Sequence, residues 1–285
     1  MNKKIKVNLY NYYSPVHDEG TSVWSSEFID YVSEPADIAI FIDYSEFETI
    51  KKTISEATNK YKVIVLREPQ GLFRDFYNWV HENEDLFYMI FVHYPITNLK
   101  NPEKYRYYAG VGSTWVSEID RKIYNKSKNV TAIWSQKNYG LGGHALRHTT
   151  RDYIKENIPH TVDWNNPVNK IDGLIDYRYE IVVENEFPHW LTEKHLDCML
   201  TGTIPIVWGS KWTKQWEGFD TDGMIFFQTP EELYNILTSD MLGEKHYNSL
   251  HYSILHNFHE CNMHTSYSDI LWDAGLCELN LLNND

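Results

Sequence analysis

The sequence predicts an α/β protein built as two Rossmann-like halves. Three observations carry that prediction. Short β-rich apolar runs alternate with helical stretches along most of the chain, the pattern of parallel sheets covered by helices. The alternation breaks once, in the polar stretch 118–128, and resumes afterwards. At 285 residues the chain is long enough for two hydrophobic cores.

In the first half, strands are predicted at Ile5–Tyr10, Asp37–Asp43, Lys62–Leu66 and Phe87–His93, with Ile5, Val7 and Leu9 alternating as in a half-buried strand. A helix is predicted near Phe47–Ala57, where Ile50, Ile54 and Ala57 share a face. The second half opens with a strand at Val130–Trp134. A glycine-rich loop then leads into a helix from about Ala145 to Ile154. Tyr179–Val183 is the next strand, and Leu191, His195, Leu196, Met199 and Leu200 recur at helical spacing until Gly202 stops the helix. Strands at Ile204–Trp208 and Met224–Phe227 follow, and Thr229-Pro230-Glu231-Glu232 has the residues that open another helix. The predicted division is 1–122, 123–265 and a C-terminal tail, 266–285.

Composition narrows the function. The formal charge of −14 argues against nucleic acid, whose phosphates need a basic face. An anionic small ligand would therefore need a locally positive pocket, for which Lys194, Arg147, Arg151 and Arg178 are the candidates. No apolar run has the length of a membrane span, and the start, MNKKIKVNLYNYYS, reads as a first strand and not as a signal peptide. Three cysteines without metal-ligand spacing fit reduced thiols, and a cytoplasmic location is the expectation. The histidines of 251–264 follow no zinc pattern, so no metal site is predicted. Aromatic residues make up 15% of the chain; core packing accounts for most such residues, so this carries little weight for sugar binding.

The densest functional signal is Asp176–Ser210, DYRYEIVVENEFPHWLTEKHLDCMLTGTIPIVWGS. It reads as strand, polar loop, short helix and second strand, so Glu184, Asn185, Trp190, Thr192, Glu193 and Lys194 gather at the carboxyl edge of a sheet, where open α/β folds bind ligands. Glu193 can accept two hydrogen bonds from vicinal ribose hydroxyls, Lys194 offers a cation to a diphosphate beside a helix start, and Trp190 offers a flat face to a base or sugar. The same residues would also serve as a plain helix start capped by Thr192, with Glu193 complementing the dipole.

This segment resembles the donor-binding signature of the family 10 glycosyltransferases, the α-1,3/1,4-fucosyltransferases. The match comprises Tyr177, Glu184, Asn185, Thr192, Glu193, Lys194, Gly202, Thr203, Ile204, Pro205, Ile206 and Gly209. Arg178, Tyr179, Val183, Glu186 and Trp190 depart from it, standing where the family has lysine, two phenylalanines, serine and tyrosine. The resemblance implies the GT-B architecture, two Rossmann-like domains facing across a cleft. It implies inverting transfer of fucose from GDP-fucose to a hydroxyl of a glycan acceptor, with no cofactor or metal. Alternatives are a catalytically inactive sugar-nucleotide or glycan-binding relative, and a GT-B transferase using another GDP-sugar.

Such a transfer needs a base for the acceptor hydroxyl and cations for the departing diphosphate. Glu68, in the strand-end sequence Val65-Leu66-Arg67-Glu68-Pro69, matches the family's placement of its base, with Asp43 and Glu46 as rivals. Lys194 is the first cation. Arg147, in the glycine loop Gly142-Gly143-His144-Ala145-Leu146-Arg147 and 47 residues before Lys194, is the second, with Arg151 as its alternative.

Overall fold

The computed structural model describes residues 4–10, 24, 26–43, 46–94, 99–108, 114–186, 190–212, 216–263 and 266–282. In chain order its elements are β1 (Ile5–Tyr10), β2 (Ile29–Tyr31), β3 (Ile38–Ile42), α1 (Phe47–Glu56), β4 (Tyr61–Leu66), α2 (Arg74–Glu82), β5 (Met89–Val92) and β6 (Tyr105–Tyr107). They continue with β7 (Lys128–Ile133), α3 (Gly142–Asn157), β8 (Asp163–Asn165), β9 (Tyr177–Val182), α4 (Glu193–Met199), β10 (Ile204–Trp208) and β11 (Ile225–Phe227). The last helices are α5 (Pro230–Thr238), α6 (Glu244–Ser249), α7 (His251–Met263), α8 (Tyr267–Leu271) and α9 (Glu278–Leu282).

The chain forms two compact units, residues 1–112 with 266–285, and residues 113–265. The first unit holds a six-stranded parallel sheet in the order β2-β1-β3-β4-β5-β6. Its central strands are buried on both faces, as a parallel sheet requires, and successive residues feed opposite cores. Ile40, Val63, Val65 and Phe91 pack on one face. Phe41, Ile64, Leu66 and Ile90 pack on the other, against Ile50 and Ile54 of α1 and Phe76, Tyr77 and Val80 of α2.

The segment 266–285, expected as a tail, belongs to this unit. Tyr267, Leu271, Leu276 and Leu279 are buried in the core on the first face of the sheet. A sheet with α1 and α2 on one side only would leave that face in water, and the C-terminal helices cover it.

The second unit has a five-stranded parallel sheet in the order β11-β10-β9-β7-β8. Ala132, Ile181, Ile206 and Phe227 face Ile154 of α3 and Leu233 of α5. Val182 turns the other way, toward Leu174 and Cys198 of α4. The unit begins at 113, earlier than the expected 123, because the Thr114 hydroxyl and the Trp115 N–H donate to Asp197 Oδ1 on α4 at 2.6 and 2.9 Å. Val116 beside them is buried.

Candidate functional site

In the second sheet the chain starts at β7, moves outward to β8, and then returns to lay β9 on the other side of β7. Connections leaving the carboxyl ends of β7 and β9 therefore diverge, which opens a crevice at a topological switch point. A cavity of about 290 Å³ lies there. Its walls are the 133–137 segment after β7, residues 180–183 at the end of β9, and side chains from α3, the β8–β9 connection and α4. Four cationic residues line it: Lys137, Arg147, Lys170 and Lys194.

Lys194 is fixed by carboxylates. Its Nζ donates to Glu184 Oε2 at 3.0 Å and to Glu193 Oε1 at 3.1 Å. Burial pushes the ammonium toward its neutral form, but the two carboxylates outweigh that and raise its pKa, so it stays charged. Glu193 is the reciprocal case. Burial would raise its carboxyl, yet Lys194 and Lys170 hold it down at about 2.

Glu184 is 2% exposed, and its other oxygen accepts the Thr192 hydroxyl. Thr192 also caps α4 by accepting the Lys194 N–H at 3.3 Å, and the Thr192 N–H donates to His195 Nδ1 at 3.2 Å. That bond identifies Nδ1 as the unprotonated nitrogen, and burial lowers the ring's pKa to about 4 despite nearby Glu184. His195 is therefore neutral. The T-E-K motif is a helix cap and a cation anchor at once: Glu184 and Thr192 hold Lys194, and Lys194 reaches the cavity. The helix-start dipole expected to add to it is minor, since α4 has only seven residues.

Arg147 comes from α3 and is 4% exposed. Its Nη2 donates to Val183 O at 2.8 Å and Asn185 Oδ1 at 3.0 Å, both neutral acceptors, so its charge is not cancelled by a hydrogen-bonded carboxylate. Asn185 Oδ1 also accepts from His144 Nε2 at 3.2 Å. The Tyr139 N–H donates to His144 Nδ1 at 3.0 Å, which makes His144 the neutral Nε2–H tautomer. Burial, with Arg147 adding to it, lowers the pKa of His144. Arg151 instead pairs with Asp152 at 2.8 Å and is absent from the cavity wall, so Arg147 is the arginine at the site.

The glycine loop owes its composition to packing. A Cβ on Gly143 would lie 1.9 Å from the Glu184 carbonyl oxygen and 2.7 Å from the Asn185 carbonyl carbon. Only glycine lets the start of α3 close on the end of β9. That approach carries His144 and Arg147 to Asn185.

Trp190 departs from expectation. It is 6% exposed and does not line the cavity, so it offers no open ring face to a ligand; together with Leu191 it is buried just before the Thr192 cap. Lys137, Lys170, Trp134 and Glu180 line the cavity without having been singled out from sequence. Lys170 Nζ pairs with the buried Asp197 Oδ2 at 2.6 Å. Trp134 is 4% exposed, and its Nε1 has no hydrogen-bond partner among the described residues. Glu180 is buried in β9, where Cys198 Sγ donates to it at 2.7 Å. Burial raises its carboxyl to about 7, with Lys170 opposing. No sequence period marks these four, because they come from two separate loops and a strand interior.

In the first unit Glu68 lies just past β4, one-third exposed by side chain, with Arg67 Nη2 at 3.2 Å from Oε1. Asp43 is fully buried with three donors on one oxygen, which removes it as a rival base. Glu46 is exposed and directly precedes α1. Among the described residues no three of His, Cys, Asp and Glu form a metal-holding group, and no helix is long and apolar enough to cross a membrane.

No protein-family model matches this sequence, and no curated protein matches it. Solved structures do resemble it in fold. TarM aligns over 87% of this chain and 55% of its own, at 9% identity and a TM-score of 0.50, so the chain spans about half the length of that protein. Alr3699/HepE of Anabaena, solved with UDP and glucose, aligns over 86% of this chain and 78% of its own, at 11% identity and a TM-score of 0.49. An α-glucosyltransferase solved with UDP-glucose and DNA containing an abasic site aligns over 93% and 87%, at 11% identity and a TM-score of 0.47. The likeness to TarM and the two parallel sheets make the fold α/β of the GT-B class, with two Rossmann-like units.

Proposed function

We propose that the protein is an inverting glycosyltransferase that moves fucose from GDP-fucose to a hydroxyl of a glycan acceptor. The observation that carries this reading is the convergence of Lys194 and Arg147 on one switch-point cavity, each held by the residues of the Tyr177–Gly209 motif. GDP and fucose as the donor's parts rest on the resemblance of that motif to the family 10 fucosyltransferases. The GT-B fold and the cationic wall on a chain of net charge −14 agree with a nucleotide-sugar donor.

In this mechanism the acceptor oxygen attacks the anomeric carbon as the bond to the diphosphate breaks, and Glu68 takes the acceptor proton. The charge that develops on the leaving diphosphate is met by Lys194 and Arg147, which are fixed before the reaction begins. Glu193 is absent from the cavity wall; ionised and bonded to Lys194, it holds that cation instead of taking the ribose hydroxyls. Glu184 and Asn185 act by holding the two cations in place.

Calorimetric titration with GDP and UDP tests the donor. GDP should bind at least about tenfold more tightly than UDP, and Lys194→Ala should weaken GDP by about ten- to a hundredfold through loss of a charge-assisted contact. Tighter binding of UDP would move the donor to a uridine nucleotide. Binding of neither would remove the sugar-nucleotide reading.

A further inference from the structure

The turn after β4 is fixed from inside the first unit by one buried carboxylate. Asp43, directly after β3, has no exposed surface. Its Oδ2 accepts the N–H groups of Arg67 and Glu68, both at 2.9 Å, and the phenol of Tyr77 at 2.8 Å. Tyr77, from α2, shares its single hydroxyl proton between Asp43 and the Glu68 carbonyl, and His93 Nε2, just past β5, lies 3.4 Å from that carbonyl. Burial lowers the His93 pKa to about 4, so the ring is neutral and can donate one proton there. Both backbone groups of Glu68 are thereby bound, which fixes the direction of its Cα–Cβ bond.

The arrangement is chemically specific. Two consecutive amides converge on a single oxygen, a geometry that a carboxylate fills with charge-assisted bonds and an amide or apolar side chain does not. Asp43 Oδ1 meanwhile has no hydrogen-bond partner among the described residues. Burial of a carboxyl with one unsatisfied oxygen is costly, and neutral ways to end a strand exist. Placement of the Glu68 turn is what this arrangement achieves.

We propose that Asp43 is a positioning residue for Glu68, which holds the base's backbone through the Arg67 and Glu68 amides while Tyr77 holds its carbonyl. The inference rests on the transferase reading and on Glu68 as its base. A base displaced by about 1 Å can lose up to 10²-fold in rate, so the expected effect is on turnover and not on donor affinity.

The test follows GDP release from GDP-fucose with water as the acceptor, together with hydrogen exchange at the Arg67 and Glu68 amides. Asp43→Asn should lower kcat by about 10- to 100-fold, leave the KM for GDP-fucose within about twofold, and speed exchange at both amides. Tyr77→Phe, which deletes one hydroxyl, should shift the same quantities less. In a Glu68→Gln background, adding Asp43→Asn should cost less than about twofold more, because the group being positioned no longer takes the proton. Losses that multiply, faster exchange with unchanged kcat, or unchanged exchange would each overturn the inference. Wild-type turnover in Glu68→Gln would instead show that the base is misassigned. A wild-type protein that releases no GDP from GDP-fucose would refute GDP-fucose as the donor and, with it, the reading on which both rest.

Discussion

The Lys194 ammonium sits 3.0 Å from Oε2 of Glu184, across the loop that joins the end of β9 to the first turn of α4. Glu184 is 2% exposed while the Lys194 side chain is 25% exposed, so the buried partner holds and the partly open one is presented to the cavity.

That asymmetry separates the two residues by experiment. Glu184→Gln should destabilise the protein by about 1–3 kcal/mol, because a buried charge-assisted bond is lost and the Thr192 cap loses its anchor. Its effect on GDP affinity should be smaller than that of Lys194→Ala. Urea unfolding and GDP titration of both variants give the comparison. A Glu184→Gln protein of normal stability that no longer binds GDP would make Glu184 a ligand contact.

Gly143 and Gly142 give a second paired test. Gly143→Ala should cost at least about 2 kcal/mol, because its Cβ would meet backbone of Glu184 and Asn185 that cannot rotate away. It should also weaken GDP binding, by separating Arg147 from Val183 and Asn185. Gly142→Ala meets only the Glu186 carbonyl at 3.8 Å and should stay within about 1 kcal/mol of wild type, as alanine is a better helix residue. Equal stability of the two alanine variants in thermal unfolding would refute the close-approach account.

Legibility in the sequence followed the physics of each element. The strand β1 is long enough to show its alternation and β10 is a continuous apolar run, and both expected ranges match the structure. The three-residue strands β2, β6 and β8 are too short for any period to register, whereas the equally short β11 was marked by the unbroken apolar run Met224–Phe227. The helix α2 was legible but missed: Phe76, Tyr77 and Val80 fall at helical spacing on one face, with Arg74, Asp75, Asn78 and His81 on the other. The C-terminal helices were masked by Gly275, whose φ of 131° breaks the spacing between Leu271 and Leu276. At the site, Thr192, Glu193 and Lys194 were readable because cap, carboxylate and cation are adjacent in sequence. Lys137 and Lys170 were not, since only the tertiary fold brings them to the same cavity.

The cationic wall carries a prediction about metals. Lys194 and Arg147, fixed and charged at the cavity, can take the role a divalent ion plays on a diphosphate leaving group. GDP release from GDP-fucose should then persist in excess EDTA at close to its untreated rate. Loss of turnover in EDTA, recovered with Mn²⁺ or Mg²⁺, would assign that role to a metal.

Glu180 makes the stability of the protein depend on pH in a direction set by its burial. Its carboxyl rises from an ordinary 4.5 to about 7 in the folded chain, chiefly because β9 buries it, with Lys170 pulling the other way. Between those values the folded state binds more protons than the unfolded state, so this residue's contribution falls as pH rises and is lowest above about 7. His195 and His93 act oppositely: burial lowers each from 6.5 to about 4, so each favours folding as pH rises through that interval. The wild-type curve mixes these effects, and the difference between wild type and Glu180→Gln isolates one of them. Relative to the variant, the wild type should lose up to ~3 kcal/mol of unfolding free energy between pH 4 and pH 8. Urea unfolding of both proteins at several pH values measures it. Parallel curves would mean that Glu180 titrates alike in the folded and unfolded chain, and that Lys170 and Cys198 satisfy its charge despite the burial.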